Sequence, residues 1–304
     1  IRRPPRSTPS NSSAASDVYK RQIHDTSLLD HPEWYAPGTR SFRWAILHGL
    51  SKADRVIVPS HAVHQSLTQR YGALPNKVSV VPHELRFNLC PIAVEEKSTV
   101  REQILGADFP YIFWSGEINP RKNLPALFST LVGLRKMGFS NLRLVLAGPR
   151  GYQSEKILNQ AEEMGLQVSK WQENSSFSHV DVILLGFVAE QNLRRLYAAA
   201  EVFLFPSWDE GFGFPVLEAM ASGVPVVCSS VGSLPEICDN AAILVNPNDG
   251  GNAFLQETRS LLTDKQNYEK YRELGLRRQH VYRLNSMVDR TIQVYEQAIS
   301  TYYE

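Results

Sequence analysis

The sequence predicts an α/β fold of the doubly wound parallel type, and three observations predict it. From residue 111 onward, short apolar runs alternate with segments whose apolar residues recur at helical spacing. Glycines stand just after several of those runs, at Gly116, Gly148 and Gly186, where a strand would hand over to a helix, and Gly213 stands just before a helix. One unit carries explicit punctuation at both ends: Pro215 falls in a first helical turn, and Gly223 and Pro225 close that helix.

Taken in order, residues 111–115 read as a strand and 123–137 as a helix with Leu124, Leu127, Phe128, Leu131 and Leu134 on one face. Strands follow at 142–147, 180–185, 202–205, 224–229 and 242–245, separated by helices at 154–164, 190–200, 215–222, 233–238 and 251–262. Six strands alternating with helices imply a parallel sheet, because parallel neighbours need crossover connections. Upstream, 41–53 reads as a helix, 55–58 as a strand, Ser60 as the cap of a helix reaching about Tyr71, and 78–81 as a strand stopped by Pro82. These few short strands make only part of a second α/β domain. Residues 88–100, with Pro91 and a Glu-Glu-Lys run, read as a linker. Residues 264–280 are charged and helical, and 285–302 carry Met287, Ile292, Val294, Tyr295 and Ile299 at helical spacing.

The chain has 304 residues, 43% hydrophobic and 21% charged, the composition of a soluble globular protein of one large or two modest domains. A formal net charge of +1 gives no strong positive field, so nucleic acid is not an expected partner. Cys90, Cys228 and Cys238 lack metal-type spacing; Cys228 falls in an apolar strand as a core thiol. No apolar run reaches the ~20 residues of a membrane helix. Residues 1–22 are rich in Pro, Ser and Arg, have no periodicity, and resemble translated sequencing-adaptor read-through. They are expected to be disordered and foreign, so that native sequence begins at Ile23, partway through a domain.

Two loops carry chemistry. In 206–227, Glu210 and Glu218 stand seven residues apart around a Gly-Phe-Gly turn. Glu210 lies on the loop and Glu218 in the following helix, so both can face one crevice at the carboxyl edge of the sheet. A carboxylate accepts two hydroxyl hydrogen bonds, which suits a ribose or a hexose; Gly211 and Gly213 let the backbone approach a ligand. A tight turn with two solvated acids would read the same way from spacing alone. In 115–123, Gly116 precedes Arg121 and Lys122 at the start of a helix. Cations at a helix N-terminus are unfavourable unless an anion joins them, and a diphosphate is the anion that fits a crevice shared with the two acids.

The pattern PSWDEGFGFPVLEAMASGVPVV resembles the E-x7-E signature of the retaining family 4 glycosyltransferases, which have the GT-B fold. Gly-x-x-x-Pro-Arg-Lys-Asn at 116–123 is also similar to that family, except that Glu117 stands where several relatives have Arg. The resemblance implies a complete C-terminal Rossmann-like domain at 95–280 and a remnant of the acceptor-side domain with its linker at 23–94. It also implies a C-terminal helix, 281–304, that returns to the N-terminal side. It further implies that Gly116, Arg121 and Lys122 hold the donor diphosphate. Glu210 and the backbone of Phe212, Gly213 and Phe214 would meet the sugar, Glu218 the ribose, and Phe187 and Val188 the nucleobase. For Phe187 a place in the core is equally open. His24, in the Ile23-His24-Asp25 segment, corresponds to a histidine near the transferred sugar, and the strand before it is expected to be missing. The other histidines have no metal spacing and read as ordinary surface or packing residues.

The implied reaction is transfer of mannose or another hexose from a GDP- or UDP-linked donor to a glycan or lipid-linked acceptor, with retention, in polysaccharide assembly. No Asp-x-Asp pair of the metal-binding kind occurs, so neither a metal nor another cofactor is expected. The location implied is cytoplasmic, with at most peripheral contact with the inner membrane. A binding fragment that holds a nucleotide sugar without transferring it is the rival reading. An NAD-dependent dehydrogenase is disfavoured, since no G-x-G-x-x-G follows the first strand of the complete sheet.

Overall fold

A computed structural model of the protein describes residues 20–85, 88–170, 180–283 and 286–303. The expectation of a foreign, disordered stretch falls mostly on residues 1–19, outside the described residues. Its last part is corrected: β1 (Lys20–Gln22) is a strand, paired in parallel with β2 (Arg55–Val58) in the register Lys20↔Arg55 to Gln22↔Ile57. Backbone pairing needs no particular side chain, so a polar segment can fill the slot beside β2. With β3 (Val78–Val80) these strands form a parallel sheet in the order β1-β2-β3. Around it lie α1 (Ser27–Asp30), α2 (Phe42–Lys52) and α3 (His61–Arg70). The Ser60 cap is present: its side chain accepts from the Val63 N–H.

The larger unit is a seven-stranded parallel sheet in the order β10-β9-β8-β4-β5-β7-β6. Its strands are β4 (Tyr111–Ser115), β5 (Arg143–Ala147), β6 (Val168–Lys170), β7 (Val182–Gly186), β8 (Val202–Phe205), β9 (Val226–Ser229) and β10 (Ile243–Val245). The strand beyond the six expected is β6, three residues at the sheet edge, too short to register as a period. Helices α4 (Glu96–Leu105), α5 (Leu124–Lys136), α6 (Ser154–Glu163), α7 (Glu190–Ala199), α8 (Phe214–Ala221), α9 (Leu234–Cys238) and α10 (Asn252–Thr263) accompany it. The expected linker at 88–100 is shorter than predicted, because α4 starts inside it. Charge disguises this helix: Arg101 is buried and donates to the Ala199 carbonyl at 2.8 Å and to Glu201, while Lys97 reaches Glu201 at 3.3 Å.

The core is a layer of aromatic and branched residues on β4, β8 and their neighbours. Tyr111, Phe113, Trp114, Phe203 and Phe205 are fully buried. Strand order reverses beside β4: the chain goes from β4 to β5 on one side and returns to β8 on the other. The carboxyl ends of β4 and β8 therefore open a crevice, the place where ligands bind in such sheets. After α10, α11 (Lys265–Arg278) packs on α8, and α12 (Ser286–Tyr303) crosses to the smaller sheet. There Val294 joins Ile57 and Val81 in a separate apolar cluster, with Met287 and Tyr295 beside it. Among the described residues no helix is long and apolar enough to cross a membrane.

Candidate functional site

The loop after β4 begins at Gly116, whose φ of 147° favours glycine. Its carbonyl is packed so tightly by Gly148 that a Cβ on Gly148 would lie 1.9 Å from it. The Gly148 segment, legible in the sequence only as a turn, thus fixes the path of the Gly116 loop. Residues Pro120–Lys122 form a 3-10 turn and Asn123 adopts φ 50°, after which α5 starts. Arg121 and Lys122 therefore stand just ahead of the helix rather than within its first turn.

The anion that these cations demand is present in the protein itself. Lys122 Nζ lies 2.5 Å from Glu210 Oε1 and Arg121 Nη1 lies 2.9 Å from Glu210 Oε2. The Lys122 and Glu210 partners stand 88 positions apart in sequence. Arg121 also donates to the Asp209 carbonyl at 2.7 Å, and Trp208 N–H donates to the Arg121 carbonyl at 2.8 Å, so the two loops are stitched together. Lys122 and Glu210 side chains are each about 8% exposed. Burial alone would raise the Glu210 carboxyl; the Arg121 guanidinium and the Lys122 ammonium outweigh it and hold it down to about 2. Burial in turn lowers Lys122, with Glu210 opposing that pull.

The next residue back behaves oppositely. Asp209 is pushed up to about 6 by burial and by the neighbouring charges of Asp25 and Glu210. A cavity of about 460 Å³ opens beside it, bounded by Asp25, Asp30 and Arg70 on one side and by Trp208, Asp209 and Gly232 on the other. Arg70 is already paired with Asp30 at 2.8 Å.

Gly213, at φ 100°, turns the chain into α8, whose first turn holds Pro215. One and a half turns in, Glu218 is buried and accepts from the Tyr197 hydroxyl at 2.8 Å. Tyr197 in turn lies 2.5 Å from the Ser115 hydroxyl at the end of β4. Ser115 precedes Gly116, where an added Cβ would sit 3.7 Å from Lys122 Cε. Glu218, Tyr197, Ser115, Gly116, Lys122 and Glu210 thus form one connected edge of the sheet.

His24 meets this edge from the smaller sheet. Its carbonyl lies against Gly211, where a Cβ would approach to 1.9 Å, so only glycine fits at that crossing. Its ring stacks on His83 at 5.3 Å, with Nδ1 3.3 Å from His83 Nε2. His83 continues the stack onto Phe214 at 5.2 Å and meets Phe212 edge-on at 5.1 Å. Of the two places expected for His83, surface or packing, it takes the second: it packs between His24 and the Gly-Phe-Gly turn. Phe187 and Val188 follow β7, whose Gly186 carbonyl accepts from Gly148 N–H at 2.7 Å. The Phe187 ring is 88% exposed, which removes the core alternative for it. Glu117 accepts from Asn119 Nδ2 at 3.0 Å and lies against Gly151.

Sequence reasoning misses His83, Tyr197 and Asp209. Tyr197 sits within an apolar helical face and reads as core. Asp209 adjoins Glu210 in a run whose spacing singles out only the glutamates. The position of His83, straight after the strand-stopping Pro82, is the one available signal. Among the described residues, no group of three or more His, Cys, Asp or Glu side chains converges as metal ligands would.

Two Rossmann-like units facing each other across these loops define a GT-B α/β protein. Comparison with known proteins agrees. The structure superposes on sucrose-phosphate synthase from Thermosynechococcus elongatus with a TM-score of 0.73 at 22% identity, over 93% of this chain and 68% of the other. It superposes on HepE from Anabaena in complex with UDP and glucose with a TM-score of 0.72 at 21% identity, over 92% of this chain and 71% of the other. The chain belongs to the family described as Glycosyl transferases group 1, which it matches over residues 109–264. It is 30% identical over 228 residues to O-antigen chain mannosyltransferase B of Escherichia coli, covering 75% of this chain and 57% of that protein. It is also 30% identical over 233 residues to the serotype-specific mannosyltransferase WbdA of the same species, covering 74% of this chain but 27% of that protein.

Proposed function

We propose that the protein is a retaining hexosyltransferase of the family 4 type, which moves a hexose, mannose foremost, from a GDP- or UDP-linked donor to a hydroxyl of a glycan or glycolipid acceptor. The observation that carries this reading is the convergence of Arg121, Lys122, Glu210 and Glu218 on one sheet edge. The mannosyltransferase relatives favour mannose, and the HepE complex favours a nucleoside diphosphate donor as a class.

In this reading the donor diphosphate takes over the cations that Glu210 now holds. Arg121, Lys122 and the backbone at the start of α8 would stabilise the charge that develops as the anomeric C–O bond breaks, with Gly116 leaving room for the diphosphate. Displaced from them, Glu210 faces the sugar hydroxyls together with the backbone of Phe212, Gly213 and Phe214. Glu218, oriented by Tyr197, accepts from the ribose diol. Phe187 and Val188, on the loop after β7, would meet the base. His24 offers Nε2 to the sugar, its ring set by the stack on His83. The acceptor hydroxyl enters from the cavity beside Asp209, whose carboxylate-rich wall suits hydroxyls better than phosphates. Two basic side chains meet the leaving diphosphate, so the proposed reaction runs without a metal.

A second reading, nucleotide-sugar binding without transfer, is carried by the same residues, since Arg121, Lys122, Glu210 and Glu218 all lie in the larger unit. One experiment separates them: incubation with GDP-mannose or UDP-glucose and a mannoside acceptor, followed by proton NMR of the product. Transfer with an α-linked product from an α-linked donor is the expected result. Inversion would reject retention. Tight diphosphate binding with neither transfer nor donor hydrolysis would favour the second reading.

A further inference from the structure

Among the contacts that join the two halves of the molecule is a carboxylate that the reaction described above does not use. Glu236 lies on α9, in the larger unit, and its side chain crosses to the start of α3 in the smaller one. Glu236 Oε2 accepts from His61 N–H at 2.8 Å and from Ala62 N–H at 3.3 Å, and Oε1 lies 3.1 Å from the same His61 N–H. First-turn amides have no partner inside their own helix. Ser60 caps Val63, and Glu236 takes the two amides the cap leaves over. A carboxylate at a helix N-terminus also gains from the macrodipole.

Both sides of this contact are braced. Arg278 donates to the Glu236 carbonyl at 2.7 Å and to the Ile237 carbonyl at 2.8 Å, fixing α9 on α11. The Ser60 hydroxyl donates to the Gly211 carbonyl at 2.8 Å, and Gly211 is the residue on which the His24 carbonyl rests. The clasp therefore sits next to the crossing of His24 over the Glu210 loop.

We infer that Glu236 is a positioning residue: its grip on α3 closes the two units and so sets His24 over the Glu210–Phe214 turn. Its consequence for turnover rests on the transferase reading above, whereas its consequence for closure does not. The test is amide hydrogen exchange by NMR on the full chain, wild type against Glu236→Ala and Glu236→Gln, with UDP and GDP affinity measured in parallel. In Glu236→Ala the His61 and Ala62 amides are expected to exchange at least about 10-fold faster, since Glu236 is the acceptor that protects them. Val63, held by Ser60, is expected to stay protected in the same sample. Diphosphate affinity is expected to change less than about 2-fold, because the cations lie wholly in the larger unit, while kcat falls at least about 10-fold with little change in KM for the donor. Glu236→Gln, which keeps one acceptor oxygen, is expected to recover part of both losses.

Unchanged exchange at His61 and Ala62 in Glu236→Ala would overturn the clasp. Faster exchange with unaltered kcat would overturn the positioning role. If Glu236→Ala fails to fold, Glu236→Lys, which removes both acceptor oxygens, decides alone: wild-type exchange and wild-type kcat in that variant would reject the inference. Absence of any diphosphate binding by the wild type would sink the transferase reading, and closure would then be decided by the exchange rates alone.

Discussion

Glu210 and Glu218 belong to one motif, are equally buried, and live in different chemistry. Glu210 is clasped by two cations and held at about 2. Glu218 has a tyrosine hydroxyl, itself hydrogen-bonded to Ser115. In the proposed reading the first carboxylate is a stand-in anion whose partners the donor diphosphate takes. The second accepts from the Tyr197 hydroxyl and, in the proposed reading, accepts from the ribose as well. Spacing alone makes the pair look symmetrical; the partners, supplied by the turn after β4 and by α7, make them unlike.

The largest effect expected is on the cationic side. Lys122→Ala removes a buried charge partner, a change that costs about 3–5 kcal/mol in such pairs. Its affinity for UDP or GDP should drop by about 100-fold, while a nucleoside loses less than about 3-fold. Titration calorimetry with both ligand types reads this directly. Glu210→Gln should come next. It leaves Arg121 and Lys122 without their anion, lowers thermal stability, and makes the stabilisation by added diphosphate larger than in the wild type, as thermal melts with and without UDP or GDP would show.

Acid sharpens the contrast. The Glu210 carboxyl, lowered from 4.5 to about 2 in the folded protein, gives stability that is present above pH ~4.5 and is lost as pH falls toward 2. Asp209 works the other way: raised from 3.8 to about 6, it gives stability that is full below pH ~3.8 and is lost as pH rises through 6. Asp209→Asn should therefore raise the melting temperature at pH 7 by several degrees and leave it nearly unchanged at pH ~3.5. An equal shift at both values would show that Asp209 is not strained by its neighbours. The smallest effect is expected from Tyr197→Phe. It removes the hydroxyl between Ser115 and Glu218, at about 1–3 kcal/mol of stability, and should weaken nucleosides and diphosphates alike by about 3–10-fold.

Most of the larger unit is legible in the sequence. Strands of Val, Leu, Ile and Phe alternate with helices of clear period, and the Pro and Gly residues mark their ends. What stays hidden shares a physical cause. The α4 helix is masked by Arg101 and Lys97, which both pair with Glu201, a partner about a hundred positions away. The Arg121–Lys122 turn shows by its own residues that it needs an anion, but nothing local says that Glu210 supplies it. His83, Tyr197 and Asp209 acquire meaning only from contacts across the sheet edge or between the units, where sequence periodicity carries no information. The pairing of Lys20–Gln22 with β2 escapes notice for the complementary reason: it rests on the backbone and not on the side chains.

The contrast between the two carboxylates reduces to one measurement: calorimetric affinities of Lys122→Ala and Glu218→Gln for a nucleoside and for its diphosphate. Lys122→Ala is predicted to abolish most of the gain that the diphosphate brings over the nucleoside, and Glu218→Gln to weaken both ligands by the same factor and preserve that gain. Equal losses for both ligands in Lys122→Ala, or a loss confined to the diphosphate in Glu218→Gln, would contradict the assignment of the two sides of the crevice.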